Sequence, residues 1–101
     1  MNKHPALEIP IRSKLAMLRH IVQIICYLQA GKRGLADPLI DDLKIRSLFL
    51  DEKIQADVLM FSEQIHFQYA YDPDHNVTPE VGKAADQLME DLGFFLKGGT
   101  I

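Results

Sequence analysis

The stretch LDEKIQADVLMFSEQIHFQYAY, residues 50–71, decides the fold. Its aromatic end, His66 to Tyr71, is the best strand candidate in the chain. Yet Leu50, Ile54, Val58, Phe61, Ile65 and Tyr69 recur at intervals of three and four without a break, and that period belongs to a helix. At about 100° per residue these side chains share one arc. Ala56, Met60, Phe67 and Tyr71 fall on the opposite side. A helix with apolar groups on both sides is either central to a bundle or makes an external contact.

The flanking sequence reads the same way. Ile11, Leu15, Leu18, Val22 and Ile25 form one seam of a first helix, and Met17, Ile21, Ile24 and Leu28 form a second beside it. Together they exceed the ~100° stripe of an ordinary surface helix, so this helix should touch two or more partners. Gly31 suits the position just past its end, where Lys32 and Arg33 would complement the negative pole of the helix dipole. Asp37 and Pro38 read as N-cap and first residue of a second helix, with Leu39, Ile40 and Leu43 inward and Asp41 and Asp42 near its positive pole. Thr78 and Pro79 repeat that start for a fourth helix, which carries the stripe Val81, Ala84, Ala85, Leu88, Leu92 and Phe95. Gly93 weakens its last turns, and Gly98 and Gly99 are expected to end it.

The expectation is an all-α single domain over residues 1–101, a four-helix bundle with helices at about 11–30, 38–49, 51–71 and 79–97. Residues 1–10, with Pro5 and Pro10, read as an N-terminal arm, and 98–101 as a loose tail. Short links favour antiparallel neighbours. An intertwined helical dimer is the alternative.

Composition narrows the function classes. About half the residues are hydrophobic and a quarter charged, as in ordinary globular domains. A single cysteine, Cys26, excludes an intrachain disulfide and fits a reducing compartment. No secretory leader pattern and no apolar run near the ~18 residues of a membrane span are visible, so a cytoplasmic protein without membrane association is expected. The net charge of −3 is unevenly placed. Residues 1–35 hold six basic side chains against Glu8, whereas residues 36–101 hold five basic and thirteen acidic ones. Such asymmetry marks a binding face, unless the halves neutralise each other within one molecule.

No chemistry-bearing motif withstands inspection. Asp72, Asp74 and Asn76 imitate the start of a calcium loop, but Val77 and Lys83 stand where glycine and the bidentate acid are required. Glu63 and His66 make one E-x-x-H pair where a di-iron bundle needs two. Cys26 has no base at helical spacing from His20 and reads as a small buried or half-buried residue. No metal, cofactor or catalytic residue is expected, and an enzyme with a site assembled across a dimer has no positive support.

Two functional readings remain. The first is a non-enzymatic protein–protein interaction module, such as an adaptor, chaperone-like factor or inhibitor. It would dock a partner or a second copy as a homodimer through Met60, Phe67 and Tyr71, with Glu63, Gln64 and Gln68 as a polar rim. The wide apolar arc of the first helix competes for that stripe, and Phe94 adds to the apolar surplus. The second is a small nucleic-acid-associated regulator that uses the basic N-terminal third, Arg12, Arg19, Lys32 and Arg33, with Lys14 nearby. Against a helix-turn-helix arrangement, the helix that would follow begins with Asp51 and Glu52, the wrong sign for phosphates.

Overall fold

Four apolar arcs meet in one core. The computed structural model describes residues 5–71 and 77–94, with side chains from residue 12 onward. It contains α1 (Pro5–Gln29), α2 (Arg33–Ser47), α3 (Glu52–Tyr71) and α4 (Pro79–Asp91), and no strand among the described residues. Each helix packs along the next. Met17, Ile21, Ile24 and Leu28 of α1 are buried against Ala36, Ile40 and Leu43 of α2, the Ile54–Val58–Phe61–Ile65 arc of α3, and Val81, Ala84, Ala85, Leu88 and Leu92 of α4. Each large side chain so buried stabilises the fold by roughly 1.5–3 kcal/mol. None of the helices is long and apolar enough, over the described residues, to cross a membrane.

The helix ends are decided by two glycines. Gly31 has φ +74°, its N–H donates to the Leu28 carbonyl at 3.1 Å, and the Lys32 N–H donates to Tyr27 at 2.8 Å. Gly93 has φ +98° and repeats the pattern, with Gly93 N–H on Glu90 at 2.9 Å and Phe94 N–H on Met89 at 2.9 Å. Both are Schellman closures, which need a left-handed residue that only glycine adopts cheaply. α4 therefore stops at Asp91, six residues before the expected end at residue 97: Gly93, not Gly98, takes the terminating position. Phe94 follows it and packs against the core with Met89, the apolar contact that accompanies this closure, so Phe94 is not surplus.

Two other boundaries differ from the sequence reading, both at prolines. α1 begins at Pro5 rather than Ile11, so Pro10 lies inside the helix. α2 begins at Arg33, with Lys32 in the capping position and no side-chain cap. Asp37 is therefore not an N-cap, and Pro38 lies inside α2. Each proline sits within the second turn and forfeits a single amide donor there. For α2 the gain is visible: the tight closure at Gly31 throws the chain directly into the next helix, which buries Ala36 completely. Two caps form: the expected one at Thr78, whose Oγ1 accepts the Val81 N–H at 3.3 Å, and one at Asp51 that the sequence reading did not assign, whose Oδ1 accepts the Ile54 N–H at 3.0 Å.

Gly31 and Gly34 should respond oppositely to alanine. No neighbouring atom blocks a Cβ at either position, but only Gly31 has positive φ. Gly31→Ala is expected to lower unfolding free energy by about 1–2 kcal/mol, and Gly34→Ala to raise it by about 0.5 kcal/mol. Urea denaturation followed by circular dichroism measures both.

Candidate functional site

The outer side of α3 carries an apolar stripe that no other helix covers. Met60, Phe67 and Tyr71 are 49%, 61% and 74% exposed, whereas Phe61 and Ile65 on the opposite arc are fully buried. The contest with α1 is resolved by packing: the inner seam of α1 sits in the core and the outer side of α3 stays open. The stripe is ordered by local contacts. Phe67 and Tyr71, one turn apart, hold their rings 4.5 Å apart at 39°, and Gln64 Nε2 donates to Met60 Sδ at 3.6 Å. A shallow cleft of about 380 Å³ adjoins it, bordered by Gln64, Phe67, Gln68, Thr78 and Glu80.

The rim differs from expectation in one residue. Glu63 is exposed and Gln64 half-buried, as a rim requires. Gln68 is buried, and its Oε1 accepts the Thr78 N–H at 3.0 Å. It therefore fastens the start of α4 to α3 rather than facing a partner. Glu80, at the first turn of α4, takes the vacant side of the rim. Its contribution was invisible in sequence because it depends on how α4 docks.

Polar clusters mark the three helix–helix seams. Between α1 and α2, His20 Nε2 lies 2.6 Å from Asp42 Oδ2, and Arg46 Nε donates to the same oxygen at 2.7 Å. The Arg46 hydrogen bond, opposed by partial burial and helped by His20, holds the Asp42 carboxyl below its ordinary range. The other ring nitrogen of His20, Nδ1, is buried and has no hydrogen-bond partner. Sequence inspection missed this cluster and assigned Asp42 to the dipole of α2. Between α2 and α3, the Arg33 guanidinium lies 4.5 Å above the Tyr69 ring. Burial, with Asp37 adding to it, pushes the Tyr69 hydroxyl up to about 12.

Between α3 and α4, the Asp57 carboxyl lies beside that of Asp91, with its Oδ2 buried. Burial, then the neighbouring Asp91, pushes Asp57 up to about 7. Asp91 is lowered, chiefly by the hydrogen bond from Asp57, with help from Gln87 at 3.0 Å and Lys53 at 3.3 Å. A protonated Asp57 donating to an ionised Asp91 clasps the two helices without placing two charges together.

The remaining candidates scatter. Arg12 and Arg19 are exposed on α1, Lys32 lies in the turn at its far end, and Arg33 is engaged with Tyr69. Cys26 is exposed, contrary to the expected burial, because it falls on the outer side of α1 rather than on the Met17–Ile21–Ile24–Leu28 seam. Glu63 and His66 are both exposed, and His66 packs edge-on to Tyr69 at 5.8 Å. No group of three metal-ligating side chains occurs among the described residues, and Asp72, Asp74 and Asn76 lie outside them. No family model matches the chain, and no curated protein or solved structure shows significant similarity to it.

The Asp57–Asp91 clasp gives stability a definite slope with pH. Asp57 is protonated up to about pH 7 in the fold, but in the unfolded chain it ionises near its ordinary value of 3.8. Its contribution is complete below the unfolded value and is lost as pH rises through about 7. Asp91, being lowered, stays ionised across that window in both states. Thermal melts should therefore show Tm falling between about pH 4 and 7, with most of that slope absent in Asp57→Asn.

Proposed function

We propose that this protein is a non-enzymatic protein–protein interaction module that docks another protein through the outer stripe of α3. The observation that carries the reading is the exposure of Met60, Phe67 and Tyr71 on one side of a helix whose other side is fully committed to the core. Large apolar groups held in water forfeit roughly 1.5–3 kcal/mol each. Interface centres are enriched in aromatic residues and methionine and are surrounded by polar rims. Glu63, Gln64 and Glu80 supply such a rim here.

The chemistry of the stripe narrows the partner. The stripe's apolar groups are Met60, Phe67 and Tyr71, with Gln64 set between the first two and Glu63 and Glu80 at the borders. An amphipathic helix with an apolar seam and lysine or arginine flanks matches it in both polarity and charge. Helix-in-groove docking of this kind reads anchors spaced by three, four and seven residues, and Met60, Phe67 and Tyr71 are spaced by seven and four.

The double change Met60→Glu plus Phe67→Glu tests the reading. Both positions are about half exposed or more, so the variant should keep the helical circular dichroism and the Tm of the parent. Proteins captured on immobilised parent and variant are then compared quantitatively, and the best-enriched one is purified and titrated. The expected result is a partner whose Kd weakens at least about 100-fold in the variant, equivalent to two lost anchors. Equal binding to both forms would count against the stripe, and unfolding of the variant would show it to be core.

A further inference from the structure

A second surface lies on the other side of α4. The outer seam of α1 is not absorbed by the bundle: Leu15 and Val22 are 48% and 51% exposed, and Cys26 beside them is exposed. Between this seam and α4 runs a cleft of about 280 Å³, floored by Ile21, Ile25 and Ala85 and walled by Val22 and Met89. Gly82 would ordinarily let two helices approach closely, yet a Cβ built there meets nothing within 4 Å. Protein interiors are close-packed. Here a hole stands open beside projecting aliphatic side chains that fill nothing in their own chain.

The charges along its edges indicate the occupant. Asp86 lines the cleft on the α4 side, Glu90 lies one turn further along that exposed edge, and Lys83, one turn before Asp86, leaves the edge acidic by one net charge. At about 100° per residue, Arg19 lies just past Val22 and Cys26 around α1, on the edge away from α4. The face is thus an apolar strip with one basic and one acidic border. A partner of uniform charge would satisfy one border and oppose the other. A two-fold axis running along the strip satisfies both, because it sets the basic border of each copy against the acidic border of the other. An axis across the strip would instead oppose like charges.

We infer that two copies of this chain pair through the α1–α4 face, with α1 parallel to α1 of the second copy and Arg19 of each facing Asp86 and Glu90 of the other. The interface is separate from the α3 stripe, which stays open in each copy, so the dimer would present two docking stripes. An axis parallel to α1 also holds equal residues at equal height. The two exposed Cys26 side chains then lie at one height on opposite borders of the interface, each beside α4 of the other copy.

Sedimentation equilibrium, run on the full chain over a range of concentrations, tests the proposal. The expected mass is twice the 11.5 kDa of one chain. Leu15→Glu plus Val22→Glu should give single chains with parental circular dichroism, since both sites are half exposed in one copy. Arg19→Glu, a surface change that spares the core, should weaken dimerisation at least about tenfold. Adding Asp86→Arg and Glu90→Arg to it should restore the affinity, because the swapped borders match again. A parent that stays single at all concentrations would overturn the proposal. So would a dimer that survives the Leu15 and Val22 changes, or one that is lost on changing Met60 and Phe67 instead. Failure of the charge swap to restore pairing would overturn the assigned axis and borders.

Discussion

Four short helices around one core can each turn only one arc inward. That constraint governs the rest of the molecule. α4 has a single stripe and spends all of its described part on the core. α2 contributes Ala36, Ile40 and Leu43, and its exterior is polar apart from Leu35, Ile45 and the Leu48–Phe49 turn. α1 and α3 carry more apolar surface than one arc can hide. In both, the arc richest in large aliphatic and aromatic groups turns inward, and the remainder is left facing solvent on either side of α4. The apolar surplus is therefore a consequence of geometry, borne by α1 and α3 and also by α2 and the turn after it.

The polar clusters keep that geometry in register. Each sits at a seam between consecutive helices: Asp42 with His20 and Arg46, Arg33 over Tyr69, and Asp57 with Asp91 and Lys53. Apolar burial is tolerant of small rotations, whereas a hydrogen-bonded carboxyl or a guanidinium over a ring is not. Gln68 performs the same task for the α3–α4 connection by accepting from the Thr78 amide. With the helices held so, the outer side of α3 cannot roll inward to hide Phe67 without breaking contacts on both flanks. Rigidity of this kind lowers the cost of binding, because the docking side chains are already placed.

Much of this was legible from periodicity. The 50–71 stretch folds as read, with its inner arc buried and Met60, Phe67 and Tyr71 outside, because position on a helix follows directly from spacing. The cap at Thr78 was legible for the same local reason. Other features were not. Asp37-Pro38 has the chemistry of a helix start, but the left-handed turn at Gly31 starts the helix earlier and the packing of Ala36 outweighs one missing amide. Gly93 and Gly98 are equally good stops in isolation, and the core contact of Phe94 goes with the first. The inward turn of Gln68, the outward turn of Cys26 and the meeting of His20 with Asp42 depend on how neighbouring helices rotate, which no single segment encodes.

Exposure of the α3 stripe in the isolated protein is the central claim, and solvent paramagnetic relaxation measures it directly. With a soluble paramagnetic agent, the Met60 methyl and the Phe67 and Tyr71 ring signals should broaden strongly, while those of Ile54, Phe61 and Ile65 stay sharp. Addition of a bound partner should return the first set to the protection of the second. If Met60 and Phe67 are as protected in the isolated chain as Phe61, the stripe is already covered and the account of α3 as a docking helix is contradicted.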